Sequence, residues 1–63
     1  MEILEKAKTL FTQPLSLDGL RKLDRLERQA KGKERMYIGL LWDAAYAAVD
    51  PIVLQQARVE GLL

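Results

Sequence analysis

The stretch MYIGLLWDAAYAAV, residues 36–49, constrains the fold of this sequence more than any other segment. It carries one charge, at Asp43, and three of the four aromatic residues of the chain. On a helical wheel its apolar side chains occupy most of the circumference. A helix that is apolar on nearly every side is normally buried on more than one side. The stretch therefore predicts a central helix that needs cover from several directions.

The wheel separates this helix into three sectors. The sector expected to face the core of the chain itself holds Tyr37, Ile38, Leu41, Ala45, Ala48 and Val49. A neighbouring apolar sector holds Met36, Leu40, Ala44 and Ala47, and a more polar strip holds Gly39, Asp43 and Tyr46, with Arg35 and Trp42 near its edge. Either this is the central helix of a monomeric bundle, or its second apolar sector faces a second chain. We favour the second alternative, because three flanking segments can hardly cover the helix all round.

We predict a partner or dimer interface on this helix. Trp42 and Tyr46 are amphipathic aromatics of the kind enriched at interface centres, and a core role is the alternative for both. The alanines and the glycine of the helix permit another helix to approach closely. The predicted interface comprises Met36, Leu40, Trp42, Asp43, Ala44, Tyr46 and Ala47.

The size of the chain supports the same prediction. Sixty-three residues accommodate one domain, which we predict to be a single helical unit over residues 1–63. Such a chain buries only about 60% of its unfolded surface, and small proteins usually add disulfides, a metal or a partner subunit. The sequence has no Cys and no His, which removes disulfides and the best transition-metal ligands. We therefore expect the small core to be stabilised by homo-oligomerisation, most simply as a dimer, or by docking onto an unidentified protein.

Apolar spacing and local stop signals predict an all-α fold, a small bundle of three to four helices that dimerisation completes. The predicted helices span residues 2–12, 17–31, 33–49 and 51–60. Ser16 and Asp50 are the predicted N-caps, with Pro51 at the first position of the last helix. Gly32 and Gly61 are the predicted helix ends. Whether the second and third helices continue through Gly32 is an open question at this point.

The second predicted helix is apolar on one face and charged elsewhere. Its apolar face holds Leu17, Leu20, Leu23, Leu26 and Ala30. Three acid–base pairs at i,i+4 are expected to stabilise it, namely Asp18 with Lys22, Asp24 with Arg28 and Glu27 with Lys31. An alternative functional surface is the basic stripe of Arg21, Arg25 and Arg28, together with Lys33 and Arg35. Such a stripe can follow nucleic-acid phosphates, or it is simply a solvated helix face with ion pairs.

The composition argues against catalysis. Without His or Cys, the usual general base and thiol nucleophile are missing, and Ser16, the only serine, is better used as a helix cap. The acidic residues are scattered without the spacing of a calcium loop, and no glycine-rich phosphate loop occurs. We therefore expect no enzyme activity, no metal and no cofactor.

The sequence also indicates a soluble protein. The apolar stretch of fourteen residues is shorter than the roughly 20 residues that span a bilayer. The first five residues, MEILE, do not begin as a signal peptide does. The absence of Cys suits a reducing compartment, so we expect a cytoplasmic protein without a membrane partner.

Two short pieces faintly resemble the Hha/YmoA family, small all-helical modulators that bind a nucleoid-structuring protein. The pieces are SLDGL at residues 16–20 and LWDAA at residues 41–45. The resemblance implies a helical regulator that acts by binding another protein. The charged residues that the family carries after its paired alanines are replaced here by Tyr46, Ala47 and Ala48. The spacing of the two pieces also differs, so we do not assign the chain to this family.

Together these features predict a small non-enzymatic protein–protein interaction module, which acts as a regulator, adaptor or inhibitor and docks as a homodimer. The alternative is a nucleic-acid-associated accessory or transcription-modulating protein that uses the basic face of the second helix. The net charge of +1, from ten basic and nine acidic residues, favours neither nucleic acid nor a cationic partner.

Overall fold

Four α-helices and no strand occur in residues 2–62, the part of the chain that the computed structural model describes. They are α1 (Glu2–Thr9), α2 (Leu17–Gln29), α3 (Gly32–Ala48) and α4 (Pro51–Val59), and a 3₁₀ turn at Leu10–Thr12 extends α1. The predicted all-α bundle is confirmed. Most predicted helix bounds lie within one residue of the observed ones. The exceptions are the end of α1, whose last predicted turn is 3₁₀ and not α-helical, and the end of α2, which lies two residues before the predicted one.

Side chains cap the starts of α2 and α4 as predicted. The Ser16 hydroxyl accepts a hydrogen bond from the Gly19 N–H at 3.1 Å. Asp50 Oδ1 accepts one from the Ile52 N–H at 2.8 Å, and Pro51 follows it at the first helical position. Each cap satisfies a backbone donor that has no partner within its helix, which typically contributes about 1 kcal/mol.

The C-terminus of α4 ends in a Schellman motif. Gly61 has a φ of 80°, in the left-handed region that glycine tolerates best. The Leu62 N–H donates to the Ala57 carbonyl at 2.9 Å, and the Gly61 N–H donates to the Arg58 carbonyl at 3.1 Å. Leu62 is half-buried against the core. The predicted role of Gly61 as a helix end is confirmed.

The second and third helices are separate. α2 ends at Gln29, two residues earlier than predicted, because Ala30 and Lys31 are extended, with ψ angles of 157° each. The extended backbone places Ala30 in the core, where it is 1% exposed. Gly32 does not end α2; it is the first residue of α3 and has a φ of 61°. Lys31 therefore lies beyond the last turn of α2, out of helical register with its predicted partner Glu27.

The core is formed where α1, α2 and α3 pack against one another, and α4 packs against α2. Its buried residues are Leu4, Ala7, Leu15, Leu20, Leu23, Ala30, Ile38, Trp42, Ala45 and Ala57. Among residues 2–62, no polar or charged side chain is buried. The core is therefore wholly apolar, and burial of carbon surface is the main force that holds the helices together.

The bundle is too thin to enclose a helix. Its principal dimensions are 31 × 23 × 16 Å. Packed helix axes lie about 8–10 Å apart, so the shortest dimension accommodates two layers of helices. Each helix consequently keeps an outer face in solvent, and this includes the apolar α3.

The N-terminus of α1 is capped from another helix. The Leu4 N–H donates to Oε2 of Glu34, in the first turn of α3, at 2.9 Å and across 30 residues of sequence. A carboxylate near a helix N-terminus also interacts favourably with the helix dipole. This hydrogen bond fixes α1 against the beginning of α3.

Candidate protein-interaction site

The solvent side of α3 carries an apolar surface, which we call the α3 outer face and define as Met36, Leu40, Ala44 and Ala47. Met36 is 56% exposed and Leu40 is 60% exposed, although both are large apolar residues. Ala44 and Ala47 are also exposed, as is Asp43 at the edge of the face. These five residues belong to the predicted interface, and within residues 2–62 no element of the chain buries them.

Trp42 does not belong to this face. Its side chain is only 9% exposed and is part of the core. With Leu20, Val49 and Leu54 it lines a narrow apolar crevice that has no room for a water molecule. Because α2 lies against this side of α3, the indole is already covered by the chain itself. The prediction of Trp42 as an interface residue is therefore corrected to a core role.

Tyr46 is exposed but lies on a different side of α3. Its ring centroid is 6.3 Å from that of Trp42, the ring planes are tilted by 46°, and the residue is 47% exposed. At 3.6 residues per turn, Tyr46 lies about 120° around the helix from Leu40. A flat partner surface cannot contact both residues at once. The seven predicted interface residues thus divide into the α3 outer face with Asp43, the buried Trp42, and the separate Tyr46.

Two residues expected in the core are exposed instead, and one of them enlarges the apolar surface. Ala48 is exposed near the end of α3. Tyr37 is 38% exposed and lines a groove of about 400 Å³ between α1 and α3, together with Leu4, Lys8, Leu40 and Leu41. Leu40 belongs both to this groove and to the α3 outer face. The apolar surface therefore continues from α3 towards α1.

Two of the three arginines on the predicted basic stripe are already paired. Arg21 makes two hydrogen bonds to the carboxylate of Glu60, one from Nε to Oε1 at 2.9 Å and one from Nη2 to Oε2. These bonds join α2 to the residue that follows α4. They lower the pKa of the Glu60 carboxyl below its ordinary value and raise the pKa of Arg21, because the hydrogen bonds favour both charged forms. Arg28 Nη2 lies 3.2 Å from Asp24 Oδ2, so this pair forms as predicted from the i,i+4 spacing.

The other predicted basic residues are exposed. Lys33 and Arg35 lie in the first turns of α3, on its solvent side. Arg25 is exposed on α2, and no carboxylate of residues 2–62 lies within 4.0 Å of its guanidinium. The predicted pair of Asp18 with Lys22 on α2 also forms, with 3.3 Å between Asp18 Oδ2 and Lys22 Nζ. The pair of Glu27 with Lys31 does not form within that part of the chain.

A second groove, which we call the α1–α2 groove, has both apolar and basic character. It is lined by Lys6, Leu10, Lys22, Arg25 and Leu26 and measures about 280 Å³. The amino-acid sequence alone does not reveal this site, because the residues come from two helical segments whose relative register only the fold defines. The helical spacing of apolar residues predicts that both Leu10 and Leu26 face the core. In the structure both are half-buried.

The described part of the chain offers no arrangement suited to a metal ion. Among residues 2–62 no three carboxylates cluster as potential ligands. None of the helices in that range has the length and apolar character needed to cross a bilayer.

Comparison of the sequence with protein-family models and with curated proteins, and of the fold with solved structures, found no match. The geometry of the surfaces is therefore the basis for the function proposed below.

Proposed function

We propose that this chain is a non-enzymatic protein–protein interaction module that pairs with a second copy through the α3 outer face. The observation that supports this proposal is the exposure of Met36 and Leu40 on a helix whose other side forms the core. Contiguous exposed apolar surface on a small soluble domain commonly marks an interaction site. The regulator, adaptor or inhibitor role predicted from the sequence is part of the same proposal.

A second copy suits this face because the face is nearly uncharged and has both large and small residues. Asp43 is the only charge among the exposed interface residues of α3 described above. Ala44 and Ala47 lie beside the larger Leu40 and Met36, so they leave space for the large side chains of another α3. A twofold dimer places the same surface patch on both partners, and this patch is self-complementary in the required way.

The exposed area sets the strength of this pairing. Complete burial of a large apolar side chain contributes about 1.5–3 kcal/mol. Met36, Tyr37 and Leu40 are 56%, 38% and 60% exposed, so covering them contributes about 3 kcal/mol per copy on that scale. Association costs about 4–15 kcal/mol of lost freedom, which offsets most or all of the roughly 6 kcal/mol that two copies gain. We therefore expect a weak dimer that forms only at high protein concentration.

Analytical ultracentrifugation of the purified protein over a wide concentration range tests the proposal. The wild type should show a reversible shift from monomer to dimer, and Leu40→Glu should abolish it by placing a charge in the interface. Ile52→Glu is the matched control, since Ile52 is 70% exposed on α4, which contributes no residue to the α3 outer face. A wild type that stays monomeric at several hundred micromolar, or an Ile52→Glu variant that loses the dimer equally, would contradict the proposal.

Nucleic-acid binding through α2 is the second candidate, and Arg25 is the residue that favours it because its guanidinium has no acidic partner within residues 2–62. The ion pairs of Arg21 and Arg28 weaken this candidate, since they must break or be shared before either arginine contacts phosphate. A gel-shift assay at low and moderate salt tests whether the protein binds nucleic acid. Failure to bind at low salt, or binding that survives the double substitution Arg21→Glu and Arg25→Glu, removes this candidate.

The cytoplasm is the proposed location of the module. The support for this is the absence of cysteine from the sequence, which suits a reducing compartment.

A further inference from the structure

We propose that the α1–α2 groove binds an acidic amphipathic helix of a partner protein. This surface is distinct from the α3 outer face, so the proposal goes beyond pairing with a second copy. It assigns a chemistry to the unidentified protein partner: a helix with an apolar stripe of leucine-like side chains between carboxylates.

The floor of the groove is apolar and its rim is basic. Leu10 and Leu26 provide the half-buried floor, and Lys6, Lys22 and Arg25 provide the rim. No carboxylate is among the five lining residues. The three cations give the rim its basic character, although Glu2 and Asp18 lie beside Lys6 and Lys22.

The rim cations are available to a partner. Lys6 Nζ lies 3.9 Å from Glu2 Oε1, and Lys22 Nζ lies 3.3 Å from Asp18 Oδ2. All four side chains are more than half exposed. Exposed pairs of this kind are weak, because water and salt screen them and both side chains are mobile. A docked carboxylate can therefore replace or share them. Arg25 has no carboxylate within 4.0 Å among residues 2–62 and offers a planar guanidinium for bidentate contact.

The geometry of the groove matches a helix better than an extended nucleic acid or a small anion. Lys22 and Leu26 are one turn apart on α2, and Leu10 follows Lys6 by four residues, in the 3₁₀ turn that extends α1. A helix laid between them presents apolar side chains one turn apart to the leucines and flanking carboxylates to the cations, as in helix-in-groove recognition. A phosphate backbone or a free anion uses only the cations and leaves the leucine floor in water.

A synthetic peptide of about 15 residues, long enough to form a helix in part, tests the proposal. It carries leucines three and four positions apart, glutamates elsewhere and a fluorescent label. Fluorescence anisotropy should show saturable binding to the protein of residues 1–63. Arg25→Glu should weaken it about fivefold to tenfold, since a favourable exposed pair becomes a repulsive one. Lys33→Glu makes the same charge change outside the groove and should alter the affinity less than about twofold.

Two further measurements distinguish an amphipathic helix from other ligands of the groove. A peptide of the same composition in scrambled order has no apolar stripe and should bind at least about fivefold more weakly; equal binding would mean that charge alone acts and would overturn the proposal. Binding of single-stranded DNA that exceeds peptide binding and is lost in Arg25→Glu would also overturn it. Leu40→Glu should leave peptide binding unchanged, so failure of the dimer and failure of the groove are observed independently.

Discussion

Two residues of α3, two positions apart, provide the most direct test of its orientation. Ile38 is 0% exposed, in the centre of the core, whereas Leu40 is 60% exposed on the α3 outer face. We predict that Ile38→Val destabilises the protein and that Leu40→Ala does not at low protein concentration. Only the first substitution is expected to reduce stability, because the two residues lie on opposite sides of one helix.

The magnitudes follow from burial and chain length. Loss of one methylene from a closely packed core costs about 0.5–1.5 kcal/mol for Ile→Val. A chain of 63 residues is expected to have a total stability of about 3–9 kcal/mol, so this loss is measurable without unfolding the protein. It should lower the Tm by roughly 4–8 °C per kcal/mol. Leu40→Ala should change stability by less than about 0.5 kcal/mol, because the side chain is mostly in water and alanine is a good helix former.

Urea denaturation followed by circular dichroism measures both effects at low micromolar concentration, where the weak dimer is dissociated. A second series at several hundred micromolar links stability to assembly. There the wild type and Ile38→Val should both gain stability with concentration, whereas Leu40→Ala should not, because only a folded dimer is stabilised by mass action. Equal destabilisation by the two substitutions at low concentration would mean that Leu40 is covered within the monomer. The assignment of the α3 outer face would then be wrong.

Three more predictions concern the helix ends and the ion pair. The pKa of Glu60 is lowered by its hydrogen bonds from Arg21, so this pair stabilises the fold above the ordinary carboxyl value of 4.5 and the stabilisation is lost as the pH falls through the lowered folded pKa. Glu60→Gln should therefore reduce the difference in Tm between pH 7 and pH 3 in thermal denaturation, and an unchanged difference would refute this role. Asp50→Ala should cost about 0.5–2 kcal/mol in urea denaturation, whereas Asp50→Ser should retain most of the cap; equal losses would show that the cap contributes little. Gly61→Ala should cost about 1–2 kcal/mol because Gly61 has a φ of 80°, and an unchanged Tm would mean that α4 ends differently in solution.

The helices were predictable because their signals are local. Ser16 and the Asp50–Pro51 pair mark helix starts by their own side chains and ring geometry. The end of α2 was less predictable, since the backbone becomes extended at Ala30 to bring that side chain into the core. The helix propensities of the residues near the end of α2 do not reflect this requirement of tertiary packing. Helical periodicity also located the α3 outer face, because residues three and four apart share one side of a helix.

What the sequence could not provide was the arrangement of the helices relative to one another. The side of α3 that α2 covers determines that Trp42 is buried and that Tyr37 is partly exposed. The hydrogen bonds of Arg21 join residues 39 positions apart, and the α1–α2 groove combines side chains from two helices. Such contacts depend on packing angles and register, which a single sequence does not specify.

The hydrogen bond between Leu4 and Glu34 has a consequence for the order of folding. α1 has eight residues, fewer than the about 12–15 at which isolated helices become marginally stable in water. The acceptor for its Leu4 N–H comes from α3, 30 residues away, whereas only Ala30 and Lys31 separate α2 from α3. We therefore expect α2 and α3 to dock first and α1 to join after the transition state. Glu34→Ala should then accelerate unfolding and leave the refolding rate nearly unchanged in stopped-flow kinetics, and slower refolding would place α1 in the folding nucleus.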